Sequence, residues 1–234
     1  MGALACQAIR DADGLELRAE IDVDDDLSAL ESVQVAVDLT TPAAVMDTVG
    51  WCVEHGVHLV VGTSGFTAER LAVVERRLAE HPGVGVLVVP NFSLGAVLMM
   101  RFAALAAPLF ESVEVVELHH PDKVDAPSGT ALRTAQAIAS ARAAAASPPV
   151  PDATQDDPGG ARGDVVDGVP VHSVRLRGLT ASQEVLLGNP GETLTIRHDM
   201  PGREAAMPGL LAAVRAVATM PGLTVGLDAV LGLG

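Results

Sequence analysis

A chain of 234 residues, 49% of them hydrophobic, is long enough for one large domain or two smaller ones with real cores. A net charge of −15 argues against a surface for nucleic-acid phosphates, and 2% aromatic residues without a tyrosine leave little on which single strands could stack. No apolar run is long enough to span a bilayer and no basic stretch precedes an apolar one in residues 1–7, so a cytoplasmic protein with Cys6 and Cys52 reduced is expected.

In chain order, residues 3–12 read as a helix ending at Asp13-Gly14, and residues 15–21 alternate as a strand. Residues 33–39 form a second strand. Thr41-Pro42 then opens a helix to about residue 55, a cap residue followed by proline in the first turn. An apolar strand over 57–61 ends in Gly62-Thr63-Ser64-Gly65, followed by a helix over 67–80 and a strand over 84–89 that Pro90 stops. Short β-branched strands separated by helices imply a parallel sheet covered on both faces.

From Ser93 the pattern changes. A helix runs to residue 107, and a strand over 113–118 ends in His119-His120. An Ala-rich helix covers 130–146, and the Pro, Gly, Asp and Ser of 147–163 form a surface loop. Strand-like runs at 169–176, 183–187 and 193–197, with Gly188-Asn189-Pro190-Gly191 as one turn, suggest an antiparallel sheet. A helix over 208–218 and an apolar tail over 223–231 close the chain, and no internal repeat is visible. The expected plan is a dinucleotide-type domain of residues 1–92 and 206–234, interrupted by an α+β domain of residues 93–205.

Of 15 basic residues only Lys123 is lysine, in a chain that otherwise uses arginine. Arginine cannot release its proton in a protein and lysine can, so a lone lysine suggests either proton chemistry or a leftover surface residue. It lies in the densest polar cluster, which runs from Glu117 through His119, His120, Asp122 and Asp125 to Ser128-Gly129-Thr130. The cluster joins a strand end to a helix start, whose free N–H groups and partial positive charge suit an anion. Taken alone, Ser-Gly-Thr before a helix is usually only a cap. Lysine, paired histidines and a helix start in one loop favour function. Metal binding is not expected, because His119, His120, His172 and His198 lack ligand spacing and the cysteines are remote.

Glu117-Leu118-His119-His120 through Asp125-Ala126-Pro127-Ser128-Gly129-Thr130-Ala131 resembles the signature of the 4-hydroxy-tetrahydrodipicolinate reductases, also called dihydrodipicolinate reductases. Val61-Gly62-Thr63-Ser64-Gly65-Phe66 resembles the family's nicotinamide-side loop, and Pro90-Asn91-Phe92-Ser93-Leu94-Gly95 the segment joining its domains. Further matches, from Val169 to Leu176 and from Glu192 to Asp199, keep the family's order along essentially the whole chain.

The resemblance implies a Rossmann-type doubly wound parallel sheet plus an inserted α+β domain with a mainly antiparallel sheet. The implied activity is NADH- or NADPH-dependent reduction of a cyclic dicarboxylate in the diaminopimelate/lysine pathway, by a homotetramer. It casts His119 and Lys123 as the proton-donating pair, with Lys123 the donor to the carbanion-like centre. His120, Ser128, Gly129 and Thr130 become substrate contacts, and Asp22, Gly62, Thr63, Ser64, Val89, Pro90, Asn91 and Phe92 cofactor contacts.

Three departures stand out. The family begins with a strand and a Gly-x-x-Gly-x-Met-Gly turn, of which Met1-Gly2 resembles only the end. The expectation is an N-terminus truncated by about a dozen residues, one strand and a tight turn. Asp122 stands where the family commonly has a basic residue, and Ser64 replaces its usual threonine. Asp22, followed by Val23, Asp24, Asp25 and Asp26 with no arginine immediately after, predicts NADH over NADPH, since a 2′-phosphate would meet like charge. Two other readings fit these residues less well. A catalytically impaired dicarboxylate binder lacking the phosphate loop need not keep His119 and Lys123, and a semialdehyde dehydrogenase needs a nucleophilic cysteine, whereas Cys52 falls in a predicted helix.

Overall fold

The computed structural model describes residues 1–22 and 25–233, so Val23 and Asp24 of the acidic run lie outside the described residues. In chain order the elements are α1 (Gly2–Asp11), β1 (Val35–Asp38), α2 (Val45–Glu54), β2 (His58–Val61), α3 (Ala68–Glu80), β3 (Gly85–Val88) and α4 (Leu94–Ala106). There follow β4 (Ser112–His119), α5 (Gly129–Ala144), β5 (Asp164–Val166), β6 (Val169–Arg175), β7 (Ala181–Asn189), β8 (Glu192–Met200), α6 (Met207–Ala216) and β9 (Gly222–Val225). They form two compact units, one of Met1–Leu94 with Arg203–Gly234 and one of Gly95–Gly202. Among the described residues no helix is long and apolar enough to cross a membrane.

The first unit is an all-parallel sheet in the order β1-β2-β3-β9. All four residues of β3 and three of β2 are buried, as strands covered on both faces must be. In α2 the buried Val45, Val49, Cys52 and Val53 recur at the spacing of one helical face. They pack with Val74 and Leu78 of α3 on Ala36, Leu59, Val61, Val86 and Val88. Because the strands are parallel, the loops after β1, β2 and β3 leave the sheet at the same end.

Two sequence-based expectations need correction here. The strand expected at residues 15–21 does not form. Alternating residues become a strand only when a neighbour takes up their backbone groups, and no described strand pairs with this segment. It borders instead a cleft of about 1870 Å³ along the free edge of β1, lined also by Ala5, Cys6 and Ile9 of α1. The second correction is at α2, where the Thr41 carbonyl accepts from both Ala44 and Val45 N–H (3.1 Å each). That closes a turn over Pro42 and places Ala44, not Thr41, at the cap.

The second unit is a five-stranded sheet in the order β5-β6-β4-β7-β8. Three pairings are antiparallel and β4–β6 is parallel, so β7 pairs with β4 rather than with its sequence neighbour β6. Helix α5 buries Ala131, Ala135 and Ile138 against Val113, Val115, Val169, Val171, Val185 and Leu187. The sequence reading missed β5, though its signal was present. Asp167-Gly168, at φ +48° and +85°, makes the tight turn that pairs β5 with β6.

Candidate active site

The site of the second unit starts from the period-two alternation of β4. Val113, Val115, Glu117 and His119 share one face, and the first two are core residues under α5. Glu117 occupies the next position of that apolar row and its side chain has 0% exposure. A buried carboxylate is tolerable only with full compensation. Its Oε2 accepts from His119 Nδ1 at 2.5 Å and Arg175 Nη1 at 2.9 Å, and its Oε1 from Arg175 Nη2 at 2.8 Å and Ser128 N–H at 3.2 Å. Burial pushes the Glu117 carboxyl up, but the hydrogen bonds from Arg175, Ser173 and His119 outweigh it and hold the pKa below its ordinary value. Burial likewise holds the imidazole of His119 below its ordinary pKa, opposed by Glu117 and assisted by the positive charges of Lys123 and Arg175.

Beyond His119 the chain turns through His120, whose carbonyl accepts from Lys123 N–H at 3.3 Å. The Lys123 ammonium donates to Asp125 Oδ1 at 2.7 Å. Arg175 Nη2 reaches the Asp125 carbonyl at 2.7 Å, so the loop is pinned from β6. Ser128 ends the loop as the cap of α5, its hydroxyl accepting from Ala131 N–H at 3.1 Å. A Cβ on Gly129 would meet only Arg133 Nη2, at 3.8 Å, so protein packing does not require glycine there and the space above the helix start is open to a ligand. Burial lowers the pKa of the Arg133 guanidinium. Thr130, with its carbonyl held by the Thr134 hydroxyl at 2.8 Å, completes the first turn.

In the first unit, the loops after β2 and β3 contain the residues read as cofactor contacts other than Asp22. Asp38 at the end of β1 is buried and accepts from the Thr63 hydroxyl at 2.5 Å and from the Thr40 hydroxyl and N–H at 2.9 and 3.1 Å. This ties the loop after β2 to the loop after β1. A Cβ on Gly62 would lie 2.5 Å from Phe92 Cε2 and 2.6 Å from Leu39 Cδ2, so the three loops fit together only around a glycine. In open parallel sheets ligands bind outside the carboxyl ends of the strands, which is where Gly62, Thr63, Ser64, Val89, Pro90, Asn91 and Phe92 lie. Asp22 borders the cleft along β1. These residues fit a nicotinamide nucleotide.

Cys52 is buried in α2, and desolvation, with Asp38 nearby, pushes its thiol up to about 12. A thiol so placed cannot serve as a nucleophile near neutral pH. Among the described residues no group of three or more His, Cys, Asp or Glu side chains could hold a metal ion. Sequence reasoning gave no role to Glu117, which it placed in the polar cluster, nor to Arg175 or Asp38. Glu117 was detectable, because a residue two before His119 on a strand must share its face. Arg175 was not, since its partner lies 58 residues away.

A parallel unit of dinucleotide-binding type and a second unit presenting a histidine, a lysine and an open helix start suit a nicotinamide-dependent oxidoreductase. Residues 1–92 match the family model described as dihydrodipicolinate reductase, N-terminus, and residues 95–231 the one described as dihydrodipicolinate reductase, C-terminus. The 4-hydroxy-tetrahydrodipicolinate reductase of Streptomyces coelicolor is 60% identical over 230 residues, 97% of this chain and 92% of the relative. That of Cutibacterium acnes is 57% identical over 233 residues, 100% and 95% of the two chains. A solved dipicolinate-bound dihydrodipicolinate reductase from Paenisporosarcina sp. TG-14 superposes with a TM-score of 0.86 at 36% identity, covering 97% of this chain and 94% of the other. The chain belongs to the dihydrodipicolinate reductase family, whose members use NADH or NADPH.

Proposed function

We propose that this chain reduces 4-hydroxy-tetrahydrodipicolinate to tetrahydrodipicolinate, in the cytoplasm, as a step of diaminopimelate and lysine synthesis. The observation that carries the reading is the grouping in one loop of His119, Lys123 and the open start of α5, in a chain 60% identical to a reductase of that name. The reaction replaces a C–OH by a C–H. The hydroxyl leaves as water with a proton from the neighbouring carbon. One hydride and one proton then add across the C=C bond so formed, the proton going to the carbon that lost one.

The nicotinamide nucleotide supplies the hydride. Residues 1–92 and 206–234 hold it, through Asp22, Gly62, Thr63, Ser64, Val89, Pro90, Asn91 and Phe92. Residues 93–205 bind the substrate and mediate assembly. The N–H groups of Gly129 and Thr130, with Ser128 and His120, take a substrate carboxylate, where the helix dipole favours negative charge. Lys123 gives its proton to the carbanion-like centre and His119 stands beside it as the second titratable donor. Proton donation of this kind contributes about 10²–10⁴-fold, and alignment of the reacting atoms supplies much of the rest. The carboxylate of Asp22 favours NADH, because it can accept from ribose hydroxyls and repels a 2′-phosphate. A homotetramer assembles through the sheet of residues 93–205, where β8 is a sheet edge with most of its side chains exposed.

The test is NADH oxidation with freshly generated 4-hydroxy-tetrahydrodipicolinate, beside Lys123→Ala. Turnover that is lost in the variant supports the reading, and a folded chain inert with this substrate contradicts it. A higher kcat/KM with NADPH would contradict the cofactor preference, and a monomer in light scattering the assembly.

A further inference from the structure

Glu117 has no part in the mechanism above, yet it is the most completely buried charge around the site. Valine in its place would continue the apolar row of Val113 and Val115 under α5. What the carboxylate adds is a set of connections to three separate segments, His119 at the end of its own strand, Arg175 on β6 and the Ser128 N–H at the start of α5. Ionised carboxylates only accept hydrogen bonds, so the ring nitrogen facing Glu117 at 2.5 Å must carry the proton. Nδ1 is therefore occupied.

We propose that Glu117 is a positioning residue for the reduction. By taking the Nδ1–H of His119 it leaves Nε2 as the ring nitrogen able to exchange a proton with substrate, and by taking the Ser128 N–H it sets the carboxylate-binding turn relative to that ring. This rests on the reductase reading. Arg175 neutralises Glu117, so the ring keeps its orientation as neutral imidazole and need not be an imidazolium to stay bound. The charged groups that reach the ring are Glu117 on its own strand, Lys123 in the following loop and Arg175 on β6. Nε2 first takes a proton from solvent, giving the imidazolium, and passes it to substrate to return to neutral imidazole, while the Nδ1 proton never leaves the Glu117 hydrogen bond.

The experiment compares steady-state reduction of 4-hydroxy-tetrahydrodipicolinate by the unmodified chain, Glu117→Gln, His119→Asn and the double variant. Nitrogen-15 spectra of histidine-labelled protein accompany it, with the His119 signal assigned by its loss in His119→Asn. Glutamine turns an N–H toward the ring and drives the proton to Nε2. We expect kcat to fall about 10²–10⁴-fold in Glu117→Gln, as for a general acid held in the wrong tautomer. Adding Glu117→Gln to His119→Asn should cost no more than about threefold, because the two act as one unit. Losses that multiply in the double variant would overturn the proposal, and so would a neutral His119 that carries its proton on Nε2 in the unmodified chain. If Glu117→Gln does not fold, the spectrum of the unmodified chain decides. A folded, unmodified chain inert with this substrate would defeat the reductase reading, while the tautomer would still judge Glu117.

Discussion

Arg175 Nη2 donates to the backbone carbonyl of Asp125 at 2.7 Å, so the end of β6 holds the loop that carries Lys123. The same guanidinium forks onto both oxygens of the buried Glu117. Only arginine has the planar donors for both tasks. Arg175→Lys should fold but lose about tenfold in kcat/KM, because a point charge cannot replace the fork. Arg175→Met leaves a buried carboxylate unpaired and should cost about 3–5 kcal/mol in urea unfolding. A methionine variant as stable as its parent would contradict this account of the pair.

Acid should weaken the fold in two stages. His119 and His198 are held below their ordinary value of 6.5 chiefly by burial, so under that pH the unfolded chain binds more protons than the folded one. Glu117 and Glu114 are held below 4.5 by their hydrogen-bond partners, which for Glu114 are Arg162 and His172 at 2.6 and 2.7 Å. The stabilisation from these carboxylates is complete above pH 4.5 and is lost as the pH falls through their folded values. The urea midpoint should therefore decline from about pH 6.5 and more steeply from about pH 4.5. Glu114→Gln should flatten the second stage and expose residues 147–163 to protease, since Arg162 also binds Asp152 of that loop. A midpoint constant from pH 6.5 to 4 would contradict both parts.

The two cysteines should differ sharply in reactivity. Cys52 is fully buried with its thiol pushed up to about 12, while Cys6 is partly exposed on α1. The thiolate is the reacting form, so a maleimide at pH 7.5 should label one cysteine per native chain and two in urea. Mass spectrometry of the labelled peptides reads the outcome directly. Rapid labelling of Cys52 in the native chain would mean that α2 opens locally.

Most elements were legible because their signals are local. The spacing of Val45, Val49, Cys52 and Val53 predicts one buried helix face, and Val113, Val115 and Glu117 predict one sheet face before any partner is known. What escaped depended on distant partners. Residues 15–21 have the alternation of a strand, but strand formation is a property of pairs. The placing of β4 between β6 and β7 likewise cannot be read from the order of the strands along the chain. At the site, the loop from His119 to Thr130 was visible as a polar cluster. The part played by Arg175 required knowing that β6 runs parallel to β4, with His119 beside Arg175 in register.

Arg142 shows how a charge can be structural. Its side chain is buried in α5, and its guanidinium donates to the carbonyls of Ala107, Phe110, Glu111 and Pro148 at 3.0, 2.6, 3.3 and 2.7 Å. It thus joins the end of α5 to the segment entering β4 and to the start of the long loop. Arg142→Met would remove this donor from all four carbonyls, of which Ala107 keeps the Phe110 N–H at 3.4 Å, and each carbonyl left without a partner costs about 1–3 kcal/mol where water cannot reach it. The total loss in urea unfolding should be at least about 3 kcal/mol, with Arg142→Lys intermediate because an ammonium has only three donors. A methionine variant within about 1 kcal/mol of its parent would show that water reaches these carbonyls.

Gly62→Ala tests the nucleotide loops without touching the proton donors. The added methyl would sit 2.5 Å from the buried Phe92 ring and 2.6 Å from Leu39, so Phe92 must move or the loop after β2 must shift. Overpacking of this kind costs about 1–3 kcal/mol and should lower the melting temperature by a few degrees. Because Gly62 and Phe92 both belong to the loops proposed to hold the nicotinamide nucleotide, KM for NADH should rise roughly tenfold while kcat stays within about threefold. Direct titration of NADH separates binding from chemistry. If the variant is destabilised as expected yet binds NADH as tightly as its parent, these loops pack against one another for stability alone and the nucleotide lies elsewhere on the first unit.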